Sequence, residues 1–334
     1  MGKCIKKISL LGVLLLSIGF GTKKLAAAIP SVTDKGVVGS KYTIFFPHER
    51  AYLSRDGALA IKVESPLKID QSGTYFLSVI DGKQRGRSIQ FTIEPREAKT
   101  RFKVNKQEEL EEIFKSAFER FEPEITLEFE YGTFNIHELN TLCLYYAEKA
   151  LAHYPILTFD SFSLSSKGGE HPIVKIEISY PLENREELLK LKKETEQKIR
   201  EIIQNEALFS MSEIEKEKAL YTYTIEQIEY PEEMNTLHYT LSGALIKGEG
   251  GCEGYAKSIQ YLLNSIGIPT YYVRGTADKE EHAWNIVSLE EGYYHVDATW
   301  GDGENPLEYF NQLDEKMEKT HTWEKSSYPA CEKP

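Results

Sequence analysis

The chain has 334 residues, of which 41% are hydrophobic and 11% aromatic, and a formal charge of -12. That length exceeds one typical domain, and that composition excludes a disordered or membrane-embedded chain. The negative balance argues against nucleic acid or an anionic membrane surface as a partner.

Residues 1–28 read as a secretory signal. Lys3, Lys6 and Lys7 precede the apolar run "ISLLGVLLLSIGF", and "AAA" at 26–28 offers a small-residue cleavage site. The run is short for a bilayer span, so no integral membrane segment is expected after cleavage; an uncleaved anchor beside Lys23 and Lys24 is the open alternative. The chain is therefore expected to be secreted or attached to the cell surface. Cleavage would remove five lysines and no acid, leaving Cys143, Cys252 and Cys331. An odd number of widely spaced cysteines is not a disulfide framework, and without a CxxC pair or HExxH no metal or other cofactor is expected.

Residues 29–97 alternate β-type runs ("KYTIFF", "ALAIKV", "TYFLSVI", "SIQFTI") with turn clusters, which predicts a small β-rich module. An immunoglobulin-like sandwich is one form it could take, since "DQSGTYFLSVI" resembles a tyrosine corner; spacer and binding module are both open as its role. From 98 to 210 the pattern turns to an α+β region. "NKQEELEEIFKSAFERF" has helical spacing, "EITLEFEY" alternates, and "IHELNTLCLYYAEKALAHY" places Cys143 on an apolar stripe with Leu139, Leu142 and Tyr146, as a buried structural thiol. The charged segment 183–207 predicts a solvated amphipathic helix.

The last unit, 211–334, opens with Ser212 as an N-cap and Glu215 three residues on. In "KGEGGCEGYAKSIQYLLNSIGIPT", Ala256, Ile259, Leu262, Leu263 and Ile266 share a helical face, Gly267 suits a C-cap and Pro269 stops the helix. Cys252 thus sits at a helix N-terminus, where unpaired N–H groups and the helix dipole favour a thiolate. The glycines around it, Gly248, Gly250, Gly251 and Gly254, either admit a substrate backbone or serve a tight turn.

Downstream, "EHAWNIVSL" and "GYYHVDATW" predict an antiparallel hairpin. A two-residue or four-residue loop sets His282 opposite Thr299 with Asp297 as its diagonal neighbour on the same face, whereas a three-residue loop sends them to opposite faces. A nucleophilic Cys252, a His282 that takes and returns its proton and an Asp297 that orients the imidazole would make an acyl-transfer triad.

These stretches, with "YFNQLDEKM" and "HTW" trailing, resemble the transglutaminase-like superfamily, in particular its secreted bacterial members, from about 211 to 323. The resemblance implies a papain-like α+β transglutaminase core with Cys252, His282 and Asp297 as catalytic residues. It implies peptide or protein substrates, cell-wall peptides among them. Where related sequences carry a polar residue upstream of the cysteine, often Gln, this chain has "NTLHYTLSGALIKGEGGC", so Tyr239 is the expected oxyanion donor beside the backbone N–H of Cys252. Trp284, Gly251 and Glu253 are the expected cleft residues. His295 is either a partner of Asp297 or a plain strand residue, and His321 and Trp323 are expected at the far edge of the domain. No calcium loop is present in the sequence, so activation by calcium is not expected.

Transferase and hydrolase remain open. A cysteine peptidase or amidase acting on cell-wall or surface peptides would use the same triad, and a non-catalytic surface-binding protein is a further alternative. Arylamine N-acetyltransferases share the logic, but the arginine expected before their glycines is absent.

Overall fold

The computed structural model describes residues 31–33, 42–45 and 50–332, apart from 70, 72, 82–83, 94–99, 153–155 and 157. The expected signal at 1–28 lies outside the described residues. Among those described, no helix is long and apolar enough to cross a membrane.

Strands β1 (Ser31–Thr33), β2 (Tyr42–Phe45), β3 (Arg50–Arg55), β4 (Ile61–Val63), β5 (Leu67–Ile69), β6 (Gly73–Asp81) and β7 (Gln84–Ile93) build two antiparallel sheets, β1-β2-β5 and β4-β3-β6-β7. Alternation along β3 and β6 sends Ala51, Leu53, Tyr75, Leu77 and Val79 into a small core of their own. The Tyr75 hydroxyl donates to the Gln71 carbonyl at 3.0 Å, four residues upstream, which is the bond a tyrosine corner makes.

The next stretch runs β8 (Arg101–Val104), α1 (Glu109–Glu119), β9 (Glu124–Phe129), α2 (Ile136–Ala152), β10 (Ser161–Lys167), β11 (Ile173–Ser179) and α3 (Arg185–Ile203). Its sheet has the order β10-β11-β9-β8, with β8 parallel to β9 and the other pairs antiparallel. Helices α1 and α2 pack together, and Cys143 of α2 is fully buried, its thiol pushed up to about 12 by burial.

Helices α4 (Glu206–Phe209) and α5 (Glu213–Gln227) lead to α6 (Cys252–Ser265) and the sheet β14-β13-β12-β15, formed by β12 (Thr270–Ala277), β13 (Glu280–Leu289), β14 (Gly292–Val296) and β15 (His321–Trp323). Ser212 and Glu215 close a reciprocal capping box at the start of α5. Gly267, at φ +81°, ends α6 in the left-handed region. Mixed helix and sheet around a transglutaminase-type core is the architecture the sequence predicts. One buried apolar cluster runs from Phe76 and Val104 through to Ala298, so the α+β region and the last unit share a core across residue 210.

Helix α6 departs from its amphipathic reading. Burial extends well beyond the apolar face, with Ser258, Asn264 and Ser265 inside as well as Ile259, Leu262 and Leu263, while Cys252, Glu253 and Lys257 are half-buried. Asn264 explains how that is tolerated: its Oδ1 accepts from the N–H groups of Ala60 and Thr270, and its Nδ2 donates to the carbonyls of Gly57 and Thr270, so every polar atom is paired. Two of those partners belong to the β module, and Tyr261 meets Phe76 edge-on at 5.7 Å. The module is thus fastened to the helix that carries Cys252. Arg55 reinforces the attachment through a two-pronged pair with Glu112 of α1, both contacts at 2.9 Å.

Candidate active site

The site forms where the head of α6 meets β13. Cys252 is the first residue of α6 and is half-buried. Gly251 caps the helix without a side-chain acceptor, and its N–H donates to the His238 carbonyl at 2.9 Å. The glycines are filled from the protein side. A Cβ on Gly251 would lie 2.5 Å from Met234 Cε, and one on Gly254 would lie 2.7 Å from the His238 carbonyl oxygen. They let the 236–239 turn press against the helix. Gly251, expected in the cleft, is buried beneath that turn instead.

The hairpin has the two-residue loop, with Leu289 paired to Gly292 and Asn285 to Val296. The ladder stops there. Asp297 leaves the strand to cap the short helix α7 (Ala298–Gly301), its Oδ1 accepting from the N–H groups of Thr299 (3.0 Å) and Trp300 (3.1 Å). The diagonal cross-strand contact expected from a continuing ladder is therefore replaced by a cap that turns Oδ2 toward β13. His282 Nε2 donates to that oxygen at 2.8 Å. Cys252 lies within electrostatic reach of the same imidazole. Burial acts against a charged ring, but the bonds to Asp297 and Cys252 outweigh it and raise His282 to about 9. Asp297 has no exposure at all; burial disfavours its charge, yet the two imidazole bonds and the Trp300 N–H hold the carboxyl below its ordinary range.

The second imidazole is His321, which the sequence placed at the far edge. Strand β15 pairs with β12, and Gly275 stands between His282 and Trp323 in the register. A Cβ at Gly275 would lie 2.8 Å from the Trp284 ring, so only glycine leaves the face open for β15 to lean over the site. His321 Nε2 then donates to Asp297 Oδ2 at 3.1 Å, and its Nδ1 meets the Thr320 hydroxyl at 2.8 Å.

Trp284 is expected on the cleft wall, but it has no exposed surface. It shares His282's face by alternation and supports the imidazole from behind, nearly parallel at 6.0 Å. Its indole N–H donates to His295 Nδ1 at 2.9 Å, and His295 Nε2 donates to Asp314 Oδ1 at 2.8 Å; α8 (Asp314–Met317) supplies that carboxylate. His295 is thus a partner of Trp284 and not of Asp297.

Among the described residues, two groups of donor atoms lie close enough to suggest a metal: His282, Asp297 and His321, and His295, Asp314 and Cys331. In the second, the Trp284 N–H fixes Nδ1 of His295 as an acceptor, so the proton sits on the Nε2 that faces Asp314 and no lone pair is left there for an ion. In the first, both Nε2 atoms point their protons at one carboxylate oxygen. Both are hydrogen-bonded networks.

Tyr239 is 38% exposed and ends the 236–239 turn, its carbonyl accepting from Lys257 at 2.6 Å. His238 beside it faces inward to Asn235 and Glu249. Glu253 is half-buried and paired with Lys257 at 2.8 Å and Arg274 at 3.4 Å, so it presents little free charge to a cleft. Tyr230, which carries no motif in the sequence, is 56% exposed and lies within electrostatic reach of Cys252, Tyr239 and Glu280.

The family profile described as "Transglutaminase-like superfamily" matches residues 200–298. Those residues form a transglutaminase-like core. Cys252, His282 and Asp297 all fall inside it, while His321 lies beyond its end. A solved structure described as "Crystal structure of a TGase" is 13% identical, the match covering 72% of this chain and 70% of that one with a TM-score of 0.29. The periplasmic domain of TgpA from Pseudomonas aeruginosa is 15% identical over 47% of this chain and 71% of its own, with a TM-score of 0.26. At those scores neither likeness bears on chemistry. No match is found among curated proteins.

Among the described residues the three cysteines differ sharply in access. Cys143 and Cys331 are fully buried, and burial raises both thiols, whereas Cys252 is half-buried beside an imidazole. Iodoacetamide at neutral pH is expected to label Cys252 at least about 100-fold faster than either of the others. Peptide mapping after timed quenching checks this, and equal labelling rates would return Cys252 to a structural role.

Proposed function

We propose that the protein is a secreted cysteine enzyme that acts on peptide or protein amides through Cys252, His282 and Asp297. The observation that carries this reading is one buried carboxylate holding an imidazole that lies within electrostatic reach of the cysteine at the head of α6. The Cys252 sulfur attacks the amide carbonyl, the C–N bond breaks, and the His282 imidazolium gives its proton to the departing amine. The thioester is resolved by an amine or by water, whose proton returns to His282. The N–H of Cys252 and the Tyr239 hydroxyl stand as the donors to the oxyanion. Residues 1–28 serve export, 29–97 act as a docked β module, and 98–210 brace the catalytic unit at 211–334.

The test is a glutamine-containing peptide set offered with a fluorescent primary amine, with incorporation and hydrolysis followed together by mass spectrometry. Incorporation identifies a transferase; cleavage or deamidation identifies a hydrolase, with stem peptides of the cell wall as the next substrates to try. Neither product, from protein whose Cys252 labels rapidly, would remove amide chemistry from consideration. Because His282 must carry its proton to serve as acid, and its ring is raised to about 9, kcat/KM is expected to fall along an alkaline limb near pH 9. A pH–rate profile flat through pH 10 would contradict that role.

A further inference from the structure

The carboxylate at the centre of the site serves two imidazoles, and the proposed triad uses only one. Asp297 Oδ1 is occupied by two backbone N–H groups, and Oδ2 is divided between His282 at 2.8 Å and His321 at 3.1 Å. His321 is itself held firmly. It is buried, its Nδ1 meets Thr320, and it lies among Trp284 (4.9 Å), Trp300 (4.7 Å) and Tyr309 (6.0 Å). A surface or merely space-filling histidine has no reason to aim a ring N–H at a fully buried carboxylate that is already in use.

We propose that His321 is a positioning residue of this site: by sharing Oδ2 it fixes the carboxylate plane and limits how tightly Asp297 holds His282. The inference rests on the triad reading above. A carboxylate oxygen that accepts one hydrogen bond offers less charge to another, so His321 weakens the pull on the His282 proton. An imidazolium held too tightly is a poor acid toward a departing amine. Other titratable groups facing the pair are Cys252 from α6, His295 from β14, Tyr221 from α5 and Tyr309 from the loop before α8; burial raises both tyrosine hydroxyls most, and Asp297 adds to the rise in each. Neither tyrosine competes for the proton at neutral pH.

The experiment compares His321→Phe with His321→Gln in the full chain. Phenylalanine keeps the aromatic packing and removes the donor; glutamine keeps a donor. In His321→Phe the alkaline limb of kcat/KM is expected to move up by at least about 0.5 pH unit with kcat reduced several-fold, and in His321→Gln to return to within about 0.2 unit of the parent. A limb that stays in place in His321→Phe, with Cys252 still labelling rapidly, overturns the proposal and leaves the triad intact; loss of rapid labelling in the parent protein sinks the triad itself. Should His321→Phe fail to fold, 15N-histidine NMR of the parent protein and of Asp297→Asn decides the matter. Two downfield, slowly exchanging ring N–H protons are expected, from His282 and His321, both displaced in Asp297→Asn. A His321 ring proton that does not respond to Asp297→Asn overturns the proposal.

Discussion

Cys252→Ala is expected to lower turnover by on the order of 10⁴-fold or more while shifting stability by less than about 1 kcal/mol. The sulfur has no substitute, since Cys143 lies in α2 among apolar side chains and Cys331 is buried beside Asp314. Stability should survive because Cys252 opens the helix and packs less completely than the residues after it, and alanine is the best helix former. Steady-state rates beside a thermal melt check both halves. Residual turnover near the parent rate would remove the thioester from the mechanism, and a collapsed melt would mark the thiol as structural.

Asp297 has a larger structural share, so its two substitutions should separate chemistry from folding. In Asp297→Asn the retained oxygen can still cap α7, but the new amide points hydrogens at two imidazole N–H groups, forcing a tautomer change or a lost bond. A fall in kcat on the order of 10³–10⁴-fold is expected, as when the orienting carboxylate of a triad is neutralised. Asp297→Ala strips the acceptor from four donors that are buried or partly buried, and should cost about 3–5 kcal/mol of folding stability. Urea unfolding and kcat measured on both variants test this. An asparagine variant that turns over at the parent rate would exclude Asp297 from orienting His282.

Much of this site was legible because its parts are local. A glycine-flanked cysteine before a 3.6-residue apolar pattern gives a helix that starts at Cys252, and Gly267 with Pro269 ends it, since both signals act through backbone geometry within a few residues. The capping box at Ser212 is local in the same way. Alternation with period two left the hairpin two registers that put His282 and Asp297 on one face and one that separates them, and the observed pairing of Leu289 with Gly292 is one of the first two.

The remainder depends on neighbours far along the chain. Trp284 and His282 have the same parity, and only the packing of Met317, Cys331 and Trp323 decides that one is buried behind the other. Glu253 reads as an acid beside the nucleophile until Arg274 arrives from β12. Nothing within "HTW" assigns His321 a carboxylate 24 residues earlier; that contact exists because β15 adds to β12 across a glycine and carries the ring over the end of β13. Local sequence therefore determined the nucleophile's helix and its caps, and limited the hairpin to a few registers, through dihedral and alternation rules that operate over a few residues. Tertiary structure alone decided which charges are neutralised, which aromatics are buried and how many imidazoles share Asp297, because those follow from which distant segments exclude water from the same few ångströms.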